Sequence, residues 1–255
     1  MTSTVFCGGT PRAFPTLAKD EIHVWSVGGY ARDVCDPNSL PILASGERAR
    51  ASQFKAEVDR ARFIERRVAL RMILAEYLAV APQHITFSVN RFGKPSVVAP
   101  KTADALSFNT THSEGLALIA VGRSTQIGID VERLRSDVEY EAIAARFFAS
   151  NEAAALAALP PRDRIEGFFN AWTRKEAVVK ALGRGLSIQL DSFEVSLRPG
   201  DPPVALRWNI PDTAPEAWRM HHLEPAPGYV GALVVDREAT IYPCRRWPNR
   251  THGLA

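Results

Sequence analysis

The sequence predicts an α+β protein built from two similar-sized halves. Long stretches of helical periodicity stand beside strand-like apolar runs in both halves. The 255 residues, 46% hydrophobic and 23% charged, have the composition of a globular chain able to bury a sizeable core. After an irregular start rich in Gly and Pro, residues 21–27 read as a first strand. From residue 46 to about 80, Phe54, Ala61, Ile64, Val68, Leu70, Ile73, Leu74 and Leu78 recur at helical spacing, with a break expected near Ala56. Residues 84–89 and 95–98 flank Asn90-Arg-Phe-Gly-Lys94, a hairpin pair around a Gly-bearing turn. Residues 106–109, 116–122 and 126–132 follow as strands. Helical patterns return at 138–149, 151–159 and 162–182, then strand-like runs at 192–197, 205–210, 217–223 and 229–236. The halves join near residues 123–125, without a repeat strong enough to prove duplication.

Composition narrows the function classes. Cys7, Cys35 and Cys244 are scattered, with none of the close spacings of a metal knuckle or disulfide framework, so a reducing, cytoplasmic setting is expected. No signal peptide or membrane helix is expected: the N-terminus lacks a continuous apolar region, and the run at 116–121 is far too short to span a bilayer. The sequon Asn249-Arg-Thr251 has no consequence without secretion. Net charge is +3, but between Glu47 and Arg71 eight basic side chains (Arg48, Arg50, Lys55, Arg60, Arg62, Arg66, Arg67, Arg71) face four acids. Such a segment suits a phosphorylated ligand, an acidic protein or nucleic acid, or simply a solvated helix face.

The stretch Ile127-Gly-Ile-Asp-Val-Glu132 carries chemistry. Alternate strand side chains share a face, so Gly128, Asp130 and Glu132 point one way and Ile127, Ile129 and Val131 the other. Two like charges on one side of an apolar strand need a cation or a wet face. A third acid poses the same problem. With about 100° per residue, Ile165, Phe168, Phe169, Trp172 and Val179 of the last long helix fall in one apolar arc, and Glu176 falls near its middle. Lys180 lies at the edge of that arc, placed for an i,i+4 pair with Glu176, and Lys175 lies near the opposite edge. Asp130, Glu132 and Glu176 together are hard oxygen donors of the type that suits Mg²⁺, and Lys180 beside them suits phosphate transfer.

At this point the residues resemble a family. Gly128-Ile-Asp-Val-Glu132, then Trp172-Thr-Arg-Lys-Glu-Ala-Val-Val-Lys-Ala181 and Gly183-Arg-Gly-Leu186, is similar to the 4'-phosphopantetheinyl transferases. The longer, two-lobed variety, typified by the enzyme that activates surfactin synthetase, matches better: Phe92-Gly-Lys-Pro95 and Phe108-Asn-Thr-Thr-His-Ser113 also appear in order. The resemblance runs from about Glu47 to Phe193. It implies two pseudosymmetric lobes, each a small sheet packed with a long helix and meeting at the active site. The corresponding division is 1–124 for nucleotide binding, 125–243 for the metal site and catalytic helix, and 244–255 as a tail.

The implied reaction moves the phosphopantetheine arm of coenzyme A onto a serine of an apo acyl- or peptidyl-carrier protein. Such carriers serve fatty acid, polyketide or nonribosomal peptide synthesis, and the implied by-product is adenosine 3',5'-bisphosphate. By the same resemblance Asp130, Glu132 and Glu176 hold Mg²⁺, Glu176 takes the serine proton, and Lys180 stabilises the phosphates. His112 contacts the 3'-phosphate, with Gly93, Lys94 and Pro95 by the adenine. Thr111 stands where the family usually has serine and keeps a hydroxyl. Arg48 and Arg62 are the candidates for further phosphate contacts, and Lys175 for another coenzyme A contact. No nucleic acid, membrane or second copy is expected. Two rivals remain open: a metal-dependent phosphohydrolase using water, and a noncatalytic coenzyme A-binding module.

Overall fold

The computed structural model describes residues 5–6, 14–28, 37–101 and 105–247. Cys7, Cys35 and the sequon at Asn249 lie outside them. The fold is α+β. Its first sheet has the order β12-β2-β6-β5, from β2 (Glu21–Gly28), β5 (Leu106–Ser113), β6 (Leu116–Arg123) and β12 (Thr240–Arg246). The second has the order β1-β10-β11-β7, from β1 (Val5–Phe6), β7 (Ile127–Arg133), β10 (Arg219–Glu224) and β11 (Tyr229–Val235). Two ribbons complete the strands: β3 (Thr86–Val89) with β4 (Pro95–Ala99), and β8 (Phe193–Val195) with β9 (Ala205–Trp208).

Period-two patterning stacks these sheets. Ile22 and Val24 of β2 join Leu118 and Ala120 of β6 against Ile127, Ile129, Val131, Leu233 and Val235, an apolar layer between the two sheets. The opposite face of the first sheet, with Trp25, Val27, Phe108 and Ile119, receives α2 (Glu57–Leu78) through Ala69, Leu70, Ile73 and Leu74. Tyr77 secures that contact by accepting a hydrogen bond from Trp25 Nε1 at 2.9 Å. The opposite face of the second sheet receives α5 (Pro161–Leu182). There the chain backbones nearly touch, since a Cβ on Gly128 would lie 1.9 Å from the Ala177 carbonyl oxygen and 2.3 Å from the Ala181 nitrogen. Glycine in IGIDVE is thus what lets α5 seat directly on β7.

The break expected near Ala56 separates α1 (Ser45–Ala51) from α2. The helical pattern at 138–159 divides into α3 (Tyr140–Phe147) and α4 (Ser150–Ala157). Two strands were not legible. β1 pairs with β10 in the second sheet and β12 pairs with β2 in the first, so each sheet takes one strand from the far end of the chain. Residue 244, where a tail was expected to begin, lies within β12. No helix among the described residues is long and apolar enough to cross a membrane.

Candidate active site

The two sheets meet along β5 and β7, and polar side chains close the seam. Alternate residues of β5 face β7: Asn109 Oδ1 accepts from the Ile129 amide at 2.9 Å, and Thr111 Oγ1 donates to Asp130 Oδ1 at 2.9 Å. Ser113 Oγ donates to Glu132 Oε2 at 2.6 Å and accepts from the Arg133 amide at 3.1 Å. Strand alternation accounts for this set, because Asn109, Thr111 and Ser113 are two apart. It also turns His112 the other way, where it is exposed.

Asp130 is 4% exposed. Lys180 reaches across from α5 to its Oδ1 at 2.6 Å, so the pair expected between Glu176 and Lys180 is replaced by one between helix and strand. Asp130 Oδ2 is buried with no hydrogen-bond partner. Burial raises the Asp130 carboxyl against the pull of Lys180 and Thr111. Glu132 is raised by burial, which Ser113 opposes and the charge of Asp130 reinforces. Glu176 is raised by burial, then by Asp130, while Lys180 lowers it and Glu132 adds a further push upward. Three carboxyls on two elements thus share one electrostatic environment that disfavours their charge. Their donor chemistry and the orphaned oxygen fit a hard divalent cation. As the side chains stand, no three His, Cys, Asp or Glu among the described residues converge closely enough to hold a metal ion. Lys180 supplies the positive charge instead.

Cations gather next to the acids. Although its side chain reaches the surface, the His112 imidazole is held below its ordinary value by partial desolvation against its neighbours and by the charges of Arg66 and Lys180. Arg62 and Arg66, one turn apart on α2, line a shallow depression with Glu65, Glu114 and Gly115 at the β5–β6 turn. Arg62 Nε is buried there with no partner.

The other expected residues are dispersed. Gly93, at φ +88°, turns the β3–β4 hairpin. Asn90 Nδ2 ties that hairpin to the Gly183 carbonyl at 2.8 Å, and Lys94 Nζ donates to the Ile127 and Ala181 carbonyls at 3.0 and 2.9 Å. Pro95 opens β4 opposite Val89. Burial lowers Lys94 to about 8. Arg48, exposed on α1, donates to the Leu43 carbonyl. Lys175 has no exposed surface with which to meet a ligand. It is 0% exposed and paired with Glu152 at 2.7 Å. Asn109 and Ser113 stood in the quoted motif and Arg66 in the basic segment without a site role of their own, and Glu152 was not singled out from the sequence. The first two were signalled by the polar period of two, and Arg66 by lying four residues from Arg62.

The stacked sheets thus bring acids and cations to one seam. The model of the 4'-phosphopantetheinyl transferase superfamily matches residues 126–234, from β7 almost to the end of β11. The 4'-phosphopantetheinyl transferase HetI of Nostoc sp. is 37% identical over 220 residues, 86% of this chain and 90% of that protein. A 4'-phosphopantetheinyl transferase of Bacillus subtilis is 32% identical over 215 residues, 84% and 87% of the two chains. Sfp of Bacillus subtilis strain 168 is 31% identical over 194 residues, 76% and 82%. The chain belongs to the 4'-phosphopantetheinyl transferase family and is an enzyme of that class.

Proposed function

We propose that this enzyme moves the 4'-phosphopantetheine arm of coenzyme A onto a serine of an apo acyl- or peptidyl-carrier protein and releases adenosine 3',5'-bisphosphate. The observation that carries the reading is the gathering of Asp130, Glu132, Glu176 and Lys180 at the β5–β7 seam, with His112 and Arg66 beside them. Asp130, Glu132 and Glu176 would hold Mg²⁺, which when bound would neutralise the pyrophosphate. The Lys180 side chain is 28% exposed, and its ammonium donates to Asp130 Oδ1 at 2.6 Å and to Thr111 Oγ1 and the Ile129 carbonyl at 3.3 Å each, the two long bonds being those a phosphate oxygen would replace. Glu176 takes the serine proton; a carboxyl raised from its ordinary value is better matched to that work near neutral pH. His112, Arg66 and Arg62 bind the 3'-phosphate, the neutral imidazole donating its one N–H. Gly93, Lys94 and Pro95 border the adenine from the hairpin turn. Arg48 and the hydroxyl of Thr111 stay secondary contacts, the latter by orienting Asp130.

The carrier docks beside the acids. Arg133 at the end of β7 and Arg135 just beyond it are exposed, and on α3 the Arg146 guanidinium lies 5.1 Å over the ring of Phe147, itself 38% exposed. A basic rim with an apolar centre suits an acidic partner surface. We read the two sheets with their long helices as similar lobes, and the enzyme as a cytoplasmic monomer without nucleic-acid or membrane partners. A panel of apo-carriers incubated with the enzyme, coenzyme A and Mg²⁺ tests the reading by intact mass. Modification that stops with a chelator and returns with Mg²⁺ is expected. Coenzyme A cleaved at the same rate without any carrier would make the enzyme a phosphohydrolase instead.

A further inference from the structure

Lys175 and Glu176 are neighbours in sequence with opposite surroundings. On a helix they diverge by about 100°, whereas Glu176 and Lys180 lie only about 40° apart. Glu176 and Lys180 turn toward β7, and Lys175 turns into the protein. Its ammonium lies 2.7 Å from Glu152 Oε2 and donates to the carbonyls of Leu190 at 2.7 Å and Phe193 at 2.5 Å. All three ammonium donors are thereby used. The rings of Phe193 and Phe148 stand 4.4 and 5.7 Å from the same nitrogen. Glu152, 2% exposed, is as fully engaged: Oε2 accepts from the Ala149 amide at 3.0 Å and Oε1 from the Val195 amide at 2.8 Å. One ion pair thus ties α5 to the start of α4, to the turn after α5 and to β8.

Burying this pair is unfavourable for both partners, since an apolar pair of similar volume is often at least as stable. What it supplies is direction. α5 meets β7 at small residues, Gly128 against Ala177 and Ala181, and is held elsewhere by the packing of Phe168 and Phe169 and by Arg174 donating to the Ser196 carbonyl at 2.6 Å; the ion pair is the polar anchor immediately before Glu176. Resting on the transfer reading above, we propose that the Glu152–Lys175 pair is a positioning device that sets the rotation of α5, and so aims Glu176 and Lys180 at Asp130, and that Lys175 does not contact coenzyme A.

Lys175→Met, Lys175→Arg and Glu152→Gln, with the Glu152→Gln/Lys175→Met double variant, test this. Fold is checked by circular dichroism, coenzyme A affinity by calorimetry, and kcat by carrier modification. Each single variant is expected to lose about tenfold or more in kcat with coenzyme A affinity within about twofold of wild type, as misplacement without ligand loss requires. The double variant is expected to be no worse than the poorer single, because both remove one interaction. Lys175→Arg keeps the charge but not the three-donor geometry, and is expected to lose kcat even if Lys175→Met does not fold. Lys175→Met or Lys175→Arg weakening coenzyme A tenfold while Glu152→Gln leaves it intact would overturn the inference, as would wild-type kcat in the folded variants. A wild-type enzyme inactive on every carrier would instead sink the transfer reading, in the same assay.

Discussion

Glu176→Gln should abolish transfer and stabilise the fold. The carboxyl of Glu176 is half-buried and raised by burial and by Asp130, with Lys180 opposing and Glu132 adding to the rise. Sign follows from linkage. A group raised in the folded state contributes stability below its ordinary value of 4.5 and loses it as pH rises through the folded value, so at pH 7 the charged Glu176 is a liability. Neutralisation is therefore expected to stabilise the protein at pH 7 without metal, the gain limited by solvent screening at a partly wet seam. The advantage should fade as pH falls toward 4.5. Saturating Mg²⁺ should reverse it, because the wild type gains a ligand that the variant binds poorly. Loss of the base and a metal ligand is expected to lower kcat by about 10²–10⁴-fold. Urea unfolding with chelator and with Mg²⁺, beside intact-mass assays of carrier modification, measures both sides. A variant that is less stable in chelator at pH 7 and still transfers would refute the view that these acids are kept at a cost to the fold.

Glu47 behaves oppositely. Burial works against its ionisation, but Arg71 at 2.6 Å, Arg67 and the Ala44 amide overcome it and hold the carboxyl below its ordinary value. Its stability is therefore present above pH 4.5 and lost as pH falls through the folded value. Glu47→Gln, which leaves Arg71 buried at 2% exposure, should cost about 3 kcal/mol at neutral pH and much less below pH 4; equal loss at both pH values in urea melts would contradict this. His112→Ala should erase most of the preference for coenzyme A over its 3'-dephospho form in calorimetry, whereas equal weakening toward both would move the 3'-phosphate elsewhere. Arg135 is 51% exposed and 3.9 Å from Glu114. Arg135→Glu should raise the apparent KM for carrier more at low than at high salt and spare that for coenzyme A. An unchanged carrier KM at low salt would place docking on another face.

The sequence disclosed the acids because each broke a pattern: two carboxylates in an apolar strand and one in an apolar helical arc. It disclosed their partners poorly. β5 was expected to end at Asn109, yet it continues to Ser113, because Thr111 and Ser113 meet β7 through hydrogen bonds and so show no apolar alternation. Lys180 binds Asp130 across the seam, a choice that helix spacing cannot reveal. Glu152, in the first turn of α4, accepts from the Ala149 amide as an acid in that position commonly does. Its second role with Lys175 depends on long-range packing. β12 was missed for the same reason, since its parallel pairing with β2 joins residues from opposite ends of the chain.

The central claim is that the seam acids move a phosphopantetheine arm from coenzyme A to a carrier serine. It is tested most directly by counting products in one reaction. With wild-type enzyme, coenzyme A, Mg²⁺ and an apo-carrier, each carrier that gains one arm should be matched by one adenosine 3',5'-bisphosphate, and neither product should form on an Asp130→Ala enzyme. Adenosine bisphosphate released in excess of modified carrier, or formed equally by Asp130→Ala, would contradict the account.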